Sequence, residues 1–247
     1  MTTTTRQVAR PDGVTGMPWL PGWRPEHRIS PRYYSMIRDW MVGNDPDAPE
    51  IIDWSETIRP PDSAEDLARE ISYIILCAGR SAQAARTIHR RVMAAVEAGR
   101  PAVEGFGYKA KADAIDGAWR RRGELFREMT AGLARGDEAA CVEWCQSIPF
   151  IGDDTKWQLA KNIGLDVCKP DIWLCRLAGY PDKPRRPVAE RFDACMRLCR
   201  LLSEASGDRI ATVDSVLWLA CNKKLLDANV HGVSFAQARP RGRSIYA

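Results

Sequence analysis

Apolar residues recur at the three- and four-residue spacing of a helix in window after window of this chain, and nowhere do apolar and polar residues alternate long enough to argue a sheet. Leu67, Ile71, Ile74 and Ile75 follow Ser63 in this way, and Ala84, Ile88, Val92 and Val96 follow Ser81. Both serines stand where an N-cap is wanted, since a hydroxyl there accepts a first-turn amide that has no partner in the helix. The second run stops at Gly99-Arg100-Pro101. Another begins at Pro31, after Ser30, and reaches about Val42. Further windows cover roughly 108–122, 124–134, 137–146, 154–163, 171–179, 187–205 and 212–221. The stretch 44–61 holds Pro46, Pro49, Pro60 and Pro61 and reads as a loop, and residues 1–30, with Trp19 and Trp23 isolated among prolines, read as an irregular arm. The expectation is an all-α fold of many short helices joined by Gly and Pro turns.

With 247 residues and 45% hydrophobic content the chain can bury a real core, as one large domain or two lobes. No stretch approaches the roughly 20 apolar residues that cross a bilayer, and Met-Thr-Thr-Thr-Thr-Arg at the start lacks the apolar segment of a signal peptide, so a cytoplasmic protein is expected. Eight cysteines lie mostly within apolar helical patterns, where a free thiol behaves as a small hydrophobe. Cys141 with Cys145, and Cys195 with Cys199, would share helix faces. No Cys-x-x-Cys occurs, however, and His27, His89 and His231 are scattered, which favours buried thiols over a metal site. The net charge of +4 permits a polyanionic partner without requiring one. Arg120-Arg121-Arg122, Arg185-Arg186 and the arginines from Arg239 to Arg243 supply much of the excess, and such runs are usually solvated helix faces.

Two short stretches carry chemistry. Ile148-Pro149-Phe150-Ile151-Gly152-Asp153-Asp154-Thr155-Lys156 reads as a tight apolar turn between two helices, with Gly152 just before a helix begins. Amides at such a helix start face outward and suit a phosphate oxygen, and Thr155 and Lys156 add a hydroxyl and a charge. The plainer reading is an ordinary helix connection. Asp171, after Pro170, starts the next helix; an N-cap is the commoner role there, and a carboxylate facing a cleft is the functional one.

These stretches resemble the helix-hairpin-helix DNA glycosylase superfamily, whose hairpin reads Leu-Pro-Gly-x-Gly-x-x-Thr-Ala and is followed by Val-Asp-x-His-x-x-Arg. Pro170-Asp171-Ile172-Trp173-Leu174-Cys175-Arg176 is similar to the second stretch, in the same order and at similar separation. Ser81-Ala82-Gln83-Ala84 is similar to the segment that places a Gln in the gap left by an extruded nucleotide. Tyr108-Lys109-Ala110-Lys111-Ala112-Asp113-Ala114-Ile115 matches a Tyr-x-x-Lys-Ala-x-x-Ile helix start. The likeness spans about residues 63–180. It implies a two-lobed helical fold: residues 31–62 packing with the C-terminal lobe, a helical core over 63–165 with the helix-hairpin-helix at about 138–163, and C-terminal helices over 166–247.

The resemblance further implies a monomer that binds double-stranded DNA across a cleft between the lobes and extrudes the target nucleotide. Asp171 is then the catalytic carboxylate. Phe150, Ile151, Gly152, Thr155, Lys156, Gln83, Arg80, Lys111 and Arg176 are the expected DNA contacts, and Trp157 and Trp173 the expected walls of the base pocket. Asp154 stands at the Schiff-base lysine position of lyase-competent members, which implies a monofunctional glycosylase with water as nucleophile. Phe150 replaces the first hairpin Gly, and Trp173 stands where the family often has His. The four-cysteine iron–sulfur loop has no counterpart, so no cofactor is expected, while the hairpin leaves room for a monovalent cation.

The favoured activity is excision of a modified base, such as a bulky pyrimidine in phage DNA, in an anti-phage role. Three other readings compete: a phage-type transferase that modifies hydroxymethyluracil-derived bases on this fold, a non-catalytic DNA-binding module, and a helical interaction protein with no nucleic-acid partner.

Overall fold

Ser30 opens the helical part of the chain as read from its sequence, its hydroxyl accepting the Tyr33 amide at 3.2 Å ahead of Pro31. The computed structural model describes residues 29–180, 186–229 and 232–235. His27, His231, Trp19, Trp23, Arg185, the arginines from Arg239 to Arg243 and nearly all of the expected N-terminal arm lie outside them. Among the described residues the architecture is helical: α1 Pro31–Asn44, α2 Ala48–Thr57, α3 Ala64–Cys77, α4 Ala82–Glu97, α5 Lys109–Arg120, α6 Arg122–Ala134, α7 Glu138–Ser147, α8 Thr155–Asn162, α9 Ile172–Leu177, α10 Val188–Ser206 and α11 Ile210–Asn222. One 3-10 turn, Ala102–Glu104, separates α4 from α5.

The structure corrects two expectations. The proline-rich stretch 44–61 contains α2, because Pro49 falls in its first turn, where a missing N–H and a fixed φ do no harm. After α11 a short antiparallel hairpin forms, β1 Leu226–Asn229 with β2 Gly232–Phe235, in the register Leu226 to Phe235. Four-residue strands are too short to leave a period-two signal.

The chain divides into two compact units. The unit formed by residues 58–167 is built on α3, whose Leu67, Ile71, Ile74 and Ile75 are fully buried against α4, α5, α6 and α8. Ser63 caps α3 by accepting the Asp66 amide at 3.1 Å, and Ser81 caps α4 by accepting the Ala84 amide at 3.3 Å. Between those two helices Lys111 reaches in from α5. Its ammonium donates to the Ile75 and Ala78 carbonyls, satisfying acceptors at the end of α3 that lack a helical partner.

The other unit comprises the described residues up to Thr57 and from Cys168 onward. Here α11 lies on α2, α9 and α10, and α1 lies on α10. Polar contacts knit it together. Asp208 accepts from the Tyr34 hydroxyl and from Arg38 Nε, both at 2.7 Å, and Glu56 accepts the Arg209 amide at 2.9 Å as α11 begins. Lys223 is 2.6 Å from Asp47 and 3.1 Å from Asp45. The eight cysteines are free thiols, buried except for the half-buried Cys77.

Candidate functional site

In the unit of residues 58–167 the segment between α7 and α8 is the expected hairpin, anchored by buried Ile148 and Ile151. Ile151 N–H donates to the Ile148 carbonyl at 3.0 Å. Phe150 sits at φ +66, a left-handed conformation that glycine adopts freely and a Cβ disfavours. At this position the turn takes a conformation that suits glycine, with a phenylalanine carrying the strain. Gly152 itself is not left-handed, and a Cβ there would meet nothing within 4 Å. Nothing inside the protein demands glycine at position 152.

Side-chain hydrogen bonds close the hairpin. Gly152 N–H donates to Thr155 Oγ1 at 2.9 Å on the exposed side of the turn. Lys156 folds back over α7, donating to Gln146 Oε1 at 2.7 Å, and Gln146 Nε2 donates to Asp153 at 2.7 Å. The Lys156 ammonium also lies 5.5 Å from the Trp157 ring centroid, and both side chains are partly covered. Gln146 and Asp153 flank the turn and lie within reach of the Lys156 ammonium. Lys111 is only 7% exposed and donates to two carbonyls, so that it ties α5 to α3, and desolvation depresses its pKa.

A row of exposed and half-buried side chains adjoins the hairpin. Tyr108 meets Phe150 edge to face at 6.3 Å between ring centroids, Phe106 meets Tyr108 likewise at 6.3 Å, and the Arg80 guanidinium lies 4.8 Å from the Phe106 ring. Gln83 is exposed on the first turn of α4. Gly105 makes this loop possible, because a Cβ there would lie 2.6 Å from the Val92 amide nitrogen. Phe106 was not singled out by the sequence; its place between Gly105 and Gly107, beside Tyr108, is the signal that could have found it. Within the 120–122 run, Arg121 pairs with Glu124 three residues on and Arg122 with Glu65 of α3. Beneath α8, Glu70 accepts from Asn162 at 2.5 Å, and desolvation raises its carboxyl pKa. A cavity of about 330 Å³ lined by Glu128, Gly132, Arg135, Cys141 and Trp144 contains none of the expected site residues.

In the other unit, Asp171 is the N-cap of α9, its Oδ1 accepting the Leu174 amide at 2.9 Å. Its side chain is half-buried, neither sealed beneath the core nor fully solvated. The segment before it is held by two buried charged residues that sequence reasoning missed. Asp214 of α11 accepts the Lys169 amide at 3.1 Å, and Arg191 of α10 donates to the Pro170 carbonyl at 3.0 Å. Neither residue lies in a recognisable motif, and only their placement on otherwise apolar helix faces sets them apart. Below α9 the Cys195 thiol donates to Cys175 at 3.9 Å. That contact, with Arg191 behind it, lowers the Cys175 pKa despite burial, whereas burial pushes Cys195 well up. Arg176 stacks over the half-buried Trp173 ring at 5.1 Å. Among the described residues no three His, Cys, Asp or Glu side chains are grouped to hold a metal ion.

This architecture, two helical units with a strained hairpin in one and a capped aspartate in the other, is the helix-hairpin-helix DNA glycosylase fold. Solved structures that it is similar to include 8-oxoguanine DNA glycosylases. One is the 8-oxoguanine glycosylase/lyase of Methanocaldococcus jannaschii in complex with a 15mer DNA containing 8-oxoguanine, at 18% identity and a TM-score of 0.57, covering 76% of this chain and 97% of that one. Another is the 8-oxoguanine DNA glycosylase of Thermotoga maritima, at 18% identity and a TM-score of 0.56, covering 76% and 93%. No protein-family model matches the chain, and no curated protein matches it by sequence.

Proposed function

We propose that this chain is a monofunctional DNA glycosylase, which hydrolyses the N-glycosidic bond of a modified base extruded from double-stranded DNA. The observation that carries the reading is Asp171, a half-buried carboxylate at the start of α9 on a segment fixed by Arg191 and Asp214, within a fold shared with DNA glycosylases. Departure of the base develops positive charge on the sugar. A carboxylate whose backbone is held rigid stabilises that charge and orients the attacking water without reorganising at the moment of reaction.

Water is the nucleophile because position 154, where lyase-competent relatives carry lysine, is an aspartate, and Lys156 is tied to Gln146. The target is a bulky modified pyrimidine of phage DNA, removed in the cytoplasm by a monomer that needs no cofactor. The departures at Phe150 and Trp173 from the family's usual residues support a specialised substrate.

The test is an abasic-site assay on hypermodified phage DNA, on alkylated DNA and on DNA containing 8-oxoguanine. New abasic sites made by the wild type and not by Asp171→Asn support excision. A mass gain on an intact base identifies the transferase instead, and DNA binding with neither product identifies a non-catalytic module.

A further inference from the structure

Four buried thiols of the unit that carries Asp171 meet in two pairs: Cys175 of α9 with Cys195 of α10 at 3.9 Å, and Cys168 with Cys199 through a hydrogen bond. The two pairs differ in their surroundings. Cys175 Sγ also lies 3.9 Å from the Arg191 guanidinium and donates to the Pro170 carbonyl at 3.4 Å. A cation at that distance favours the thiolate, which is the form that reacts with oxidants. Burial, Cys168 and the Asp214 carboxylate instead push the Cys199 thiol well up, which keeps that pair protonated. Base release as read above uses neither sulfur of the first pair, yet Cys175 touches the carbonyl that precedes Asp171 and stands four residues after it on a six-residue helix.

We propose that Cys175 and Cys195 are a site of reversible oxidation by hydrogen peroxide, closing to a disulfide that draws the start of α9 out of place and stops base release. The effect on base release rests on the reading of Asp171 above; the thiol chemistry does not. The Cys175 thiolate attacks peroxide and breaks its O–O bond, so that Cys175 becomes a sulfenic acid and the departing hydroxide takes up the proton that the thiol gave off. The Cys195 sulfur then attacks that of Cys175, and the displaced hydroxide leaves as water with the Cys195 proton. Two thiols and one peroxide give one disulfide and two waters, with two electrons passing from sulfur to oxygen. Cys175 is 6% exposed and Cys195 fully buried, which suits an oxidant as small as peroxide. The sulfurs close from 3.9 Å to about 2 Å, the Cys175 hydrogen bond to Pro170 is lost, and the movement pulls on the turn that Asp171 caps.

Reduced full-length protein is treated with hydrogen peroxide, its remaining thiols are blocked with iodoacetamide, and its peptides are mapped by mass spectrometry. Abasic-site formation on hypermodified phage DNA is followed in parallel. A cross-linked peptide pair joining Cys175 to Cys195 is expected, with base release slowed at least tenfold and restored by dithiothreitol. Cys195→Ala should release base within about twofold of the wild type when reduced, form no cross-link and escape most of the inhibition. Cys199→Ala should cross-link and be inhibited as the wild type is. Thiols at 175 and 195 that stay reduced, or a cross-link joining Cys168 to Cys199 in their place, overturns the site. Inhibition of Cys195→Ala equal to that of the wild type, or a Cys175 to Cys195 cross-link with unchanged base release, overturns the switch. A wild type that releases no base from any DNA overturns the reading of Asp171 and the switch with it, while the peptide map still decides the thiol site.

Discussion

Arg191 donates to the carbonyl of Pro170 at 3.0 Å from a guanidinium that is itself buried, so the residue before Asp171 is held by a charge with little freedom to move. A second donor of the same side chain, Nε, reaches the Arg186 carbonyl at 3.1 Å. Arg191→Met removes these hydrogen bonds and leaves two carbonyls short of donors, a loss of roughly 2–3 kcal/mol of stability. If Arg191 positions Asp171, the variant also lowers kcat for base release about tenfold with KM unchanged. Equal fractional losses in kcat and in folded protein would reduce Arg191 to a structural role.

Asp171→Asn separates capping from chemistry. Asparagine caps a helix about as well as aspartate, so thermal unfolding should shift by less than about 1 kcal/mol. An amide cannot stabilise a developing cation as a carboxylate does, and base release should fall by about 10²-fold or more. A variant that binds DNA, melts normally and still excises at the wild-type rate would remove Asp171 from the chemistry.

Gly152→Ala tests whether a partner approaches the hairpin. The added Cβ has open space and the backbone there is not left-handed, so stability should stay within about 0.5 kcal/mol of the wild type. A DNA strand lying against that backbone would be pushed away, and duplex affinity measured at low salt should drop roughly tenfold, a loss of about 1.4 kcal/mol. Unaltered affinity would place the contact elsewhere.

Glu70 gives a pH dependence with a definite sign. Desolvation raises its pKa in the folded protein, opposed only by the Asn162 amide, so the unfolded chain releases this proton at lower pH than the native one. The contribution of Glu70 to stability therefore declines as pH rises from the ordinary carboxylate range toward the raised value. Glu70→Gln should melt higher than the wild type at pH 8, with the gap closing toward pH 4. A gap that is constant across this range would contradict the desolvated carboxyl.

Helix periodicity and caps were legible in the chain itself, because they depend on residues three or four apart: Ser30, Ser63 and Ser81 cap helices where the sequence placed them. The hairpin could be located for the same reason, since Ile148, Ile151 and Gly152 act within one turn. The internal partners of long charged side chains were harder to read. Lys156 after the turn and Lys111 on α5 meet Gln146 on α7 and the Ile75 and Ala78 carbonyls at the end of α3, acceptors 10, 36 and 33 residues away. Likewise nothing local links Arg191 and Asp214 to the stretch before Asp171, because they arrive on α10 and α11. Short-range hydrogen bonding and apolar spacing thus set the helices and the turn. Which polar group each long side chain meets is a contest between distant acceptors, and only the packed tertiary structure brings those acceptors within reach.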